Sequence, residues 1–305
     1  MSSDHIDLPQ KTREIYDHHF DSAIWNDFQF RDDDIIIATY GKSGTTWMQQ
    51  IVSQLLFDGA EDLPVARMSP WLDLRNPPIE ERLKEMEAQT HRRFIKSHLP
   101  VDALVFSPKA KYIYIARDGR DVVWSFHNHF LKGSDKLYRA INNDPERCGP
   151  PIERPPESVV EYFNTWLERD GYPVWSLWDH VASWWAIRDL PNVMLMHFED
   201  LKADLSGEIR RVAAFLEISI DDSKWDAILE HCSFEYMKTR GRKTVPMGGV
   251  LWEGGAKTFI HKGENRRWKD VLPAENSERY EQIAVERLGE ECAMWLKNGY
   301  SATSS

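Results

Sequence analysis

The stretch Asp34–Trp47, DIIIATYGKSGTTW, decides the fold. Its first six residues, Asp34–Thr39, form a short apolar run of the kind that is buried on both faces of a sheet. A loop with Gly41 and Gly44 follows, and from Thr45 the pattern turns helical, with Trp47, Ile51 and Leu55 on successive turns to Phe57. Strand, glycine-rich turn and helix in this order make an anion cradle. The glycines permit a tight turn, and the first N–H groups of the helix point at the ligand with the helix dipole behind them. Lys42 adds a point charge, Ser43, Thr45 and Thr46 add hydroxyl donors, and Trp47 offers a ring for a base to stack on. The loop is not GxxxxGK[ST], because its lysine precedes the second glycine. It is also shorter, so it suits one phosphate better than a triphosphate.

Three further apolar runs read as strands: Arg93–Ser97, Lys111–Ala116 and Asn192–His197. Helical spacing is expected over 118–131, 158–169, 174–187, 206–217 and 275–297, with Pro173 opening the third of these. Buried strands alternating with helices predict an α/β fold, a central parallel sheet flanked by helices with a P-loop-like phosphate-binding loop. In such sheets ligands bind beyond the carboxyl ends of the strands. No linker or repeat divides the 305 residues, so 1–305 is read as one domain with frayed ends at 1–8 and 300–305. The proline-rich segment 133–157 is read as a long, partly irregular excursion. With the glycine-flanked stretch 247–256 it is a candidate lid.

Composition removes several classes. No apolar run approaches the roughly 20 residues needed to span a bilayer, and the N-terminus shows no signal-peptide core. Cys148, Cys232 and Cys292 lack a CxxC spacing, which fits a reducing, cytoplasmic compartment. A net charge of −11 argues against nucleic acid as a partner. An anion site in this chain must therefore be locally basic. Residues 256–269 meet that need, with five Lys or Arg against one acid. No metal site is expected: His127 and His129 diverge on a helix, and His18–His19 has no partner spacing.

Two segments after strands carry more chemistry. Arg117, at a strand end, and Ser125, two turns into the next helix, can grip one anion together, although Arg117 and Arg120 could equally pair with Asp118 and Asp121. Lys96 and His98 lie two residues apart in extended chain and share a face. A neutral imidazole there can act as a general base.

TYGKSGTTW resembles the 5′-phosphosulfate loop of the cytosolic sulfotransferase family, with Gly41 where proline is usual; that exchange is expected to loosen the turn. Arg117, Asp121 and Ser125 resemble the family's 3′-phosphate motif. Lys262, Gly263, Trp268 and Lys269 resemble its C-terminal signature, with His261 standing in for arginine, which would weaken or make pH-sensitive one phosphate contact. The resemblance implies 3′-phosphoadenosine 5′-phosphosulfate (PAPS) as co-substrate, PAP as product and no metal. It implies an adenine site with Phe198, Cys232, Phe234 and Met237; Phe198 and Cys232 replace polar residues, so recognition would lean on stacking. KSHLP at 96–100 resembles the catalytic strand end, which implies His98 as base and Lys42 and Lys96 as charge stabilisers.

The implied activity is sulfuryl transfer to a hydroxyl of a small, apolar acceptor, with Trp71, Phe130 and Trp252 as candidate cleft walls. Most of the five tryptophans in 166–185 are expected in the core. A P-loop kinase would need Walker order and magnesium carboxylates. A non-catalytic nucleotide-binding module would not need a base. Elimination through a transient sulfate ester stays open. The family's dimer pattern survives in Lys269 and Glu278 but carries Pro273-Ala274 at its centre, so a homodimer of that type is in question.

Overall fold

A computed structural model describes residues 7–143, 148 and 150–300. Most of the expected frayed ends (1–6 and 301–305), together with residues 144–147 and 149 of the excursion, lie outside the described residues. Four strands, β1 (Ile35–Thr39), β2 (Phe94–Ser97), β3 (Lys111–Ala116) and β4 (Val193–His197), form one sheet in the order β2-β1-β3-β4. All three pairings are parallel, with Ile37 opposite Lys96, Ala38 opposite Tyr114 and Ala116 opposite His197. At the strand starts, Arg93 holds the buried carboxylate of Asp34 with both sides of its fork, which fixes the β1–β2 register at the end away from the site.

The principal helices are α1 (Thr45–Leu56), α2 (Gly119–Leu131), α3 (Val159–Glu168), α4 (Leu177–Trp185), α5 (Leu205–Phe215), α6 (Ala274–Leu288) and α7 (Glu290–Asn298). Alternation along the strands feeds both faces of the sheet. Ile35, Ile37, Ile113 and Ile115 pack with α1 and α5 through Ile51, Val52, Ile209 and Val212. Ile36, Ala38, Tyr112 and Tyr114 pack with α2, α3, α4, α6 and α7. The strands are thus buried on both sides, the condition that their apolar runs implied.

Two expectations need correction, and the excursion gains detail. Pro173 does not open a helix: it follows a cis peptide bond, and α4 begins at Leu177, with Ser176 accepting a hydrogen bond from the Asp179 N–H. The stretch 275–297 is two helices, because Gly289 at φ 77° and ψ 162° breaks the helical path. The excursion holds a helix, Asp135–Asn142, whose Leu137 and Ile141 are buried. Trp166, Trp178 and Trp184 are core residues as expected, and Trp175 and Trp185 pack at its margin. Among the described residues no helix is long and apolar enough to cross a membrane.

Candidate functional site

The turn after β1 bends through two positive-φ residues, Lys42 at 68° and Gly44 at 117°. Gly44 admits no side chain: a Cβ there would sit 2.9 Å from both Ile115 and Phe198. Gly41 is required for a different reason. Its Cβ would lie 2.6 Å from the Phe126 ring, so Gly41 does not merely loosen the turn; it makes room for an aromatic ring from α2. No side chain caps α1, and the Ser43 hydroxyl is buried without a partner. A buried polar group without a partner costs free energy unless a ligand supplies one.

Lys96 and His98 come together against one ring. The Lys96 ammonium lies 4.1 Å from the Trp71 ring centroid, and the His98 imidazole meets the same ring edge-on at 4.9 Å. Segment 70–72 is held there by pairing with β2, through Lys96 N–H to the Pro70 carbonyl and Leu72 N–H to the Lys96 carbonyl. Phe20 closes over this wall, 5.1 Å from Trp71 and 4.4 Å from Trp175. His98 Nδ1 is 2.8 Å from the Thr39 carbonyl oxygen and 3.0 Å from Thr39 Oγ1. The carbonyl can only accept, so Nδ1 carries the proton and Nε2 is the free basic nitrogen. Thr39 Oγ1 also meets Thr45 Oγ1 at 2.6 Å, so one threonine ties the imidazole to the first turn of α1.

Electrostatics push every one of these groups toward neutrality. Burial, then the charges of Lys96 and Arg117, bring Lys42 down to about 7. Burial brings Lys96 down to about 8, against the pull of Asp73. Burial, then Lys96, hold His98 well below the usual imidazole range. His98 is therefore a weaker and more persistently neutral base than its type alone suggests.

At the ends of β3 and β4, Arg117 and Arg120 part company. Arg120 is fully buried, bound to Asp118 and Glu281 and stacked 3.8 Å from the Trp268 ring. Arg117 instead lies 4.3 Å over the Phe198 ring and binds Asn265 Oδ1 through Nη2 at 2.6 Å and Nε at 2.9 Å, and the Glu264 carbonyl at 3.1 Å. Asp121 accepts the Arg266 N–H at 2.7 Å. The second and third motifs therefore meet in space. Ser125 is half-buried on α2 and Lys262 is exposed; burial, and then Arg267 and Lys262, lower His261.

Aromatic groups line the next step outward. Trp47 meets Phe198 edge-on at 5.2 Å and donates Nε1–H to the Cys232 carbonyl at 2.8 Å. Gly263 packs against Phe234, where a Cβ would approach the ring to 2.5 Å, and Lys238 lies 5.4 Å over that ring. Cys232 takes part through its carbonyl, while its side chain and that of Met237 are buried.

Sequence reading missed Thr39, Asn265 and His129. Thr39 ends the first apolar run, His129 stands out in the sequence only as a metal candidate, and nothing in the local pattern singles out Asn265. His129 Nδ1 lies 3.2 Å from Lys42 Nζ, a proximity set by tertiary packing rather than by spacing. Trp252 donates to the His129 carbonyl at 3.1 Å, and Phe130 packs against Phe126 inside the core. The two candidate lid segments touch each other through the Ser134 N–H to the Leu251 carbonyl, and the Glu253 N–H binds the carbonyl of Lys132 just before the first segment.

A sulfotransferase-domain profile matches residues 32–291. A glycolipid sulfotransferase of Mycobacterium tuberculosis is 31% identical over 323 residues, covering 98% of each chain. The crystal structure of retinol dehydratase with retinol and PAP superposes with a TM-score of 0.67 at 25% identity, over 88% of this chain and 84% of that one. Mouse sulfotransferase SULT7A1 complexed with PAP shares the fold, with a TM-score of 0.70 at 22% identity over 92% and 94%.

Proposed function

The chain belongs to the sulfotransferase family, and within it we propose transfer of a sulfuryl group from PAPS to a hydroxyl of a small acceptor, with His98 as the general base. The observation that carries this reading is the convergence of Lys96 and His98 on Trp71, at the carboxyl end of β2 and beside the cradle after β1. PAPS supplies the sulfuryl group when bound. The residues present fit it: Ser43 holds a buried hydroxyl with no partner, and Asn265 a buried amide nitrogen in the same condition, beside Arg117.

In this reading His98 Nε2 takes the proton of the acceptor hydroxyl as the new S–O bond forms and the S–O bond to the 5′-phosphate breaks. Lys42 meets the charge left on that phosphate, and Lys96 the sulfuryl oxygens, the preorganised charge stabilisation that such transfers require. Arg117, with Ser125, Lys262 and the Gly263 backbone, holds the 3′-phosphate. Trp47, Phe198 and Phe234 hold the adenine. Phe20, Trp71 and Trp175 give the acceptor an apolar wall, which suits phenols and alcohols carried on apolar frames. We read residues 1–305 as one domain, cytoplasmic and without a requirement for metal.

The test is mass-spectrometric detection of sulfated product from PAPS with a panel of phenols and alcohols, comparing wild type with His98→Ala. Removing a general base costs roughly 10²–10⁴ in rate. The loss belongs in kcat, with PAP affinity retained, because no phosphate contact is assigned to the ring. It should shrink for acceptors of lower hydroxyl pKa. Near-normal turnover by His98→Ala would remove the proposed base and leave the donor assignment standing.

A further inference from the structure

Lys42 is the residue on which the donor reading depends most, and its surroundings are unusual for an ammonium. The charged groups that act on it are Lys96, at the carboxyl end of β2, and Arg117, after β3, both cations. Beneath it lies the face of Phe259, 4.3 Å from Nζ. Its hydrogen-bond partner is His129 Nδ1 at 3.2 Å. Burial, with Lys42, His19 and Lys96 nearby, keeps the His129 imidazole well below its usual range, so at neutral pH the ring is uncharged and Nδ1 can offer a lone pair. An ammonium is a donor only, and a neutral imidazole with its proton on Nε2 is the matching acceptor.

The imidazole itself is fixed from several sides. Trp252 donates to the His129 backbone carbonyl. The His129 ring meets the rings of Trp252 at 4.9 Å, Phe130 at 5.2 Å and Phe259 at 5.9 Å. Asn128, its neighbour on α2, donates to the Thr258 carbonyl at 3.3 Å. Helix α2 and the 250–259 stretch thus hold one ring nitrogen in a set position, and that nitrogen meets the lysine.

We infer that His129 is a positioning residue for sulfuryl transfer: through Nδ1 it accepts from the Lys42 ammonium, favours that form over the free amine and aims it before the donor arrives. The role rests on the reading of Lys42 as the group that meets the leaving phosphate. Without His129, a lysine among cations and aromatic rings loses its acceptor, sheds its proton more readily and wanders in orientation. The donor then meets a larger share of neutral, unaimed amine and must supply both corrections itself. His129→Phe fills the space but removes the acceptor; His129→Asn offers an amide oxygen in its place.

Two measurements test this. Trace labelling of the unliganded protein with acetic anhydride across pH, read peptide by peptide in the mass spectrometer, follows the proton on Lys42 without any turnover. A hydrogen bond to a charged group is worth enough to move proton affinity about tenfold, so in His129→Phe Lys42 should label roughly fivefold faster at pH 6 than in wild type. Steady-state kinetics should show kcat/KM for PAPS down about tenfold in His129→Phe. His129→Asn should recover most of both. An unchanged or upward-shifted Lys42 profile in folded His129→Phe overturns the inference, and so does failure of His129→Asn to recover either quantity. If PAPS turnover is absent in every protein while the labelling profile moves as stated, the donor reading fails and the Lys42–His129 coupling stands.

Discussion

Binding of PAP should take up protons from solution, and most of that uptake should belong to Lys42. In the free protein burial brings Lys42 down to about 7 and Lys96 down to about 8. The anionic 5′-phosphate stabilises the ammonium form of any lysine it contacts, so both groups return toward their ordinary range when the ligand binds. At pH 8 free Lys42 is only about a tenth protonated and Lys96 about half, which gives an uptake of roughly 0.9 proton from Lys42 and up to about 0.5 from Lys96. The same linkage sets affinity: an uptake of about 0.9 to 1.4 protons at pH 8 means that PAP binding should weaken there by roughly eightfold to 25-fold per pH unit, until the ligand-bound lysines also lose their protons.

Isothermal titration calorimetry in HEPES and in Tris separates proton uptake from binding heat, because the two buffers differ in ionisation enthalpy. The sign is diagnostic, since a phosphate site built on arginine alone takes up no proton from solution at this pH. Lys42→Met should remove the larger part of the uptake and leave the Lys96 share. No measurable uptake at pH 8, or the same uptake in Lys42→Met, would refute the assignment of Lys42 to the phosphosulfate site.

Arg117→Ala should weaken PAP far more than adenosine 5′-phosphate, by roughly tenfold or more, because a charge-assisted fork is lost; equal losses, measured by calorimetry, would place Arg117 elsewhere. Asn265→Asp puts a carboxylate where Arg117 now binds an amide oxygen at 2.6 Å, so it should selectively depress PAP affinity, and Asn265→Ser should do so much less. Gly41→Ala should lower thermal stability by about 1–3 kcal/mol through the clash with Phe126, and Phe126→Leu in the same chain should restore most of it in a melting experiment.

The sheet was legible because each strand is a short run of apolar residues and the loop after the first is rich in glycine and hydroxyls. The residues proposed for the donor side stand out for the same local reason: Lys42 to Trp47 are contiguous, and those around Arg117 and Lys262 keep a spacing visible in the sequence. What was not legible depends on which elements touch. Arg120 and Arg117 differ by three positions, and only the packing of α6, which brings Glu281 and Tyr280 to Arg120, shows which of them is left for the site. Asn265 and Arg117 are 148 positions apart, and Lys42 and His129 are 87 apart. Gly289 was present in the sequence as a breaker, but the apolar period runs on past it, so only its left-handed backbone reveals two helices.

Lys96 has a second consequence, which separates its charge from its contact with the sulfuryl group. A general base must stay unprotonated while an anionic donor lies beside it, and that anion by itself favours imidazolium. In the free protein burial is the first cause that keeps His98 neutral, and Lys96 is the second. Burial acts on the imidazole whether or not the donor is present, but only a neighbouring cation answers the donor's charge directly. Lys96, fixed over the Trp71 ring that His98 also touches, is placed to do so. Lys96→Met keeps the length and removes the charge. With the donor bound, His98 should then hold its proton to higher pH, and the acid limb of the kcat profile should move upward. The depressed imidazole of wild type places that limb below the ordinary histidine range. A profile of kcat against pH from 5 to 8, at saturating PAPS, reads the limb directly. A lower kcat in Lys96→Met with the acid limb unmoved would show that Lys96 serves the sulfuryl oxygens and does nothing for the base.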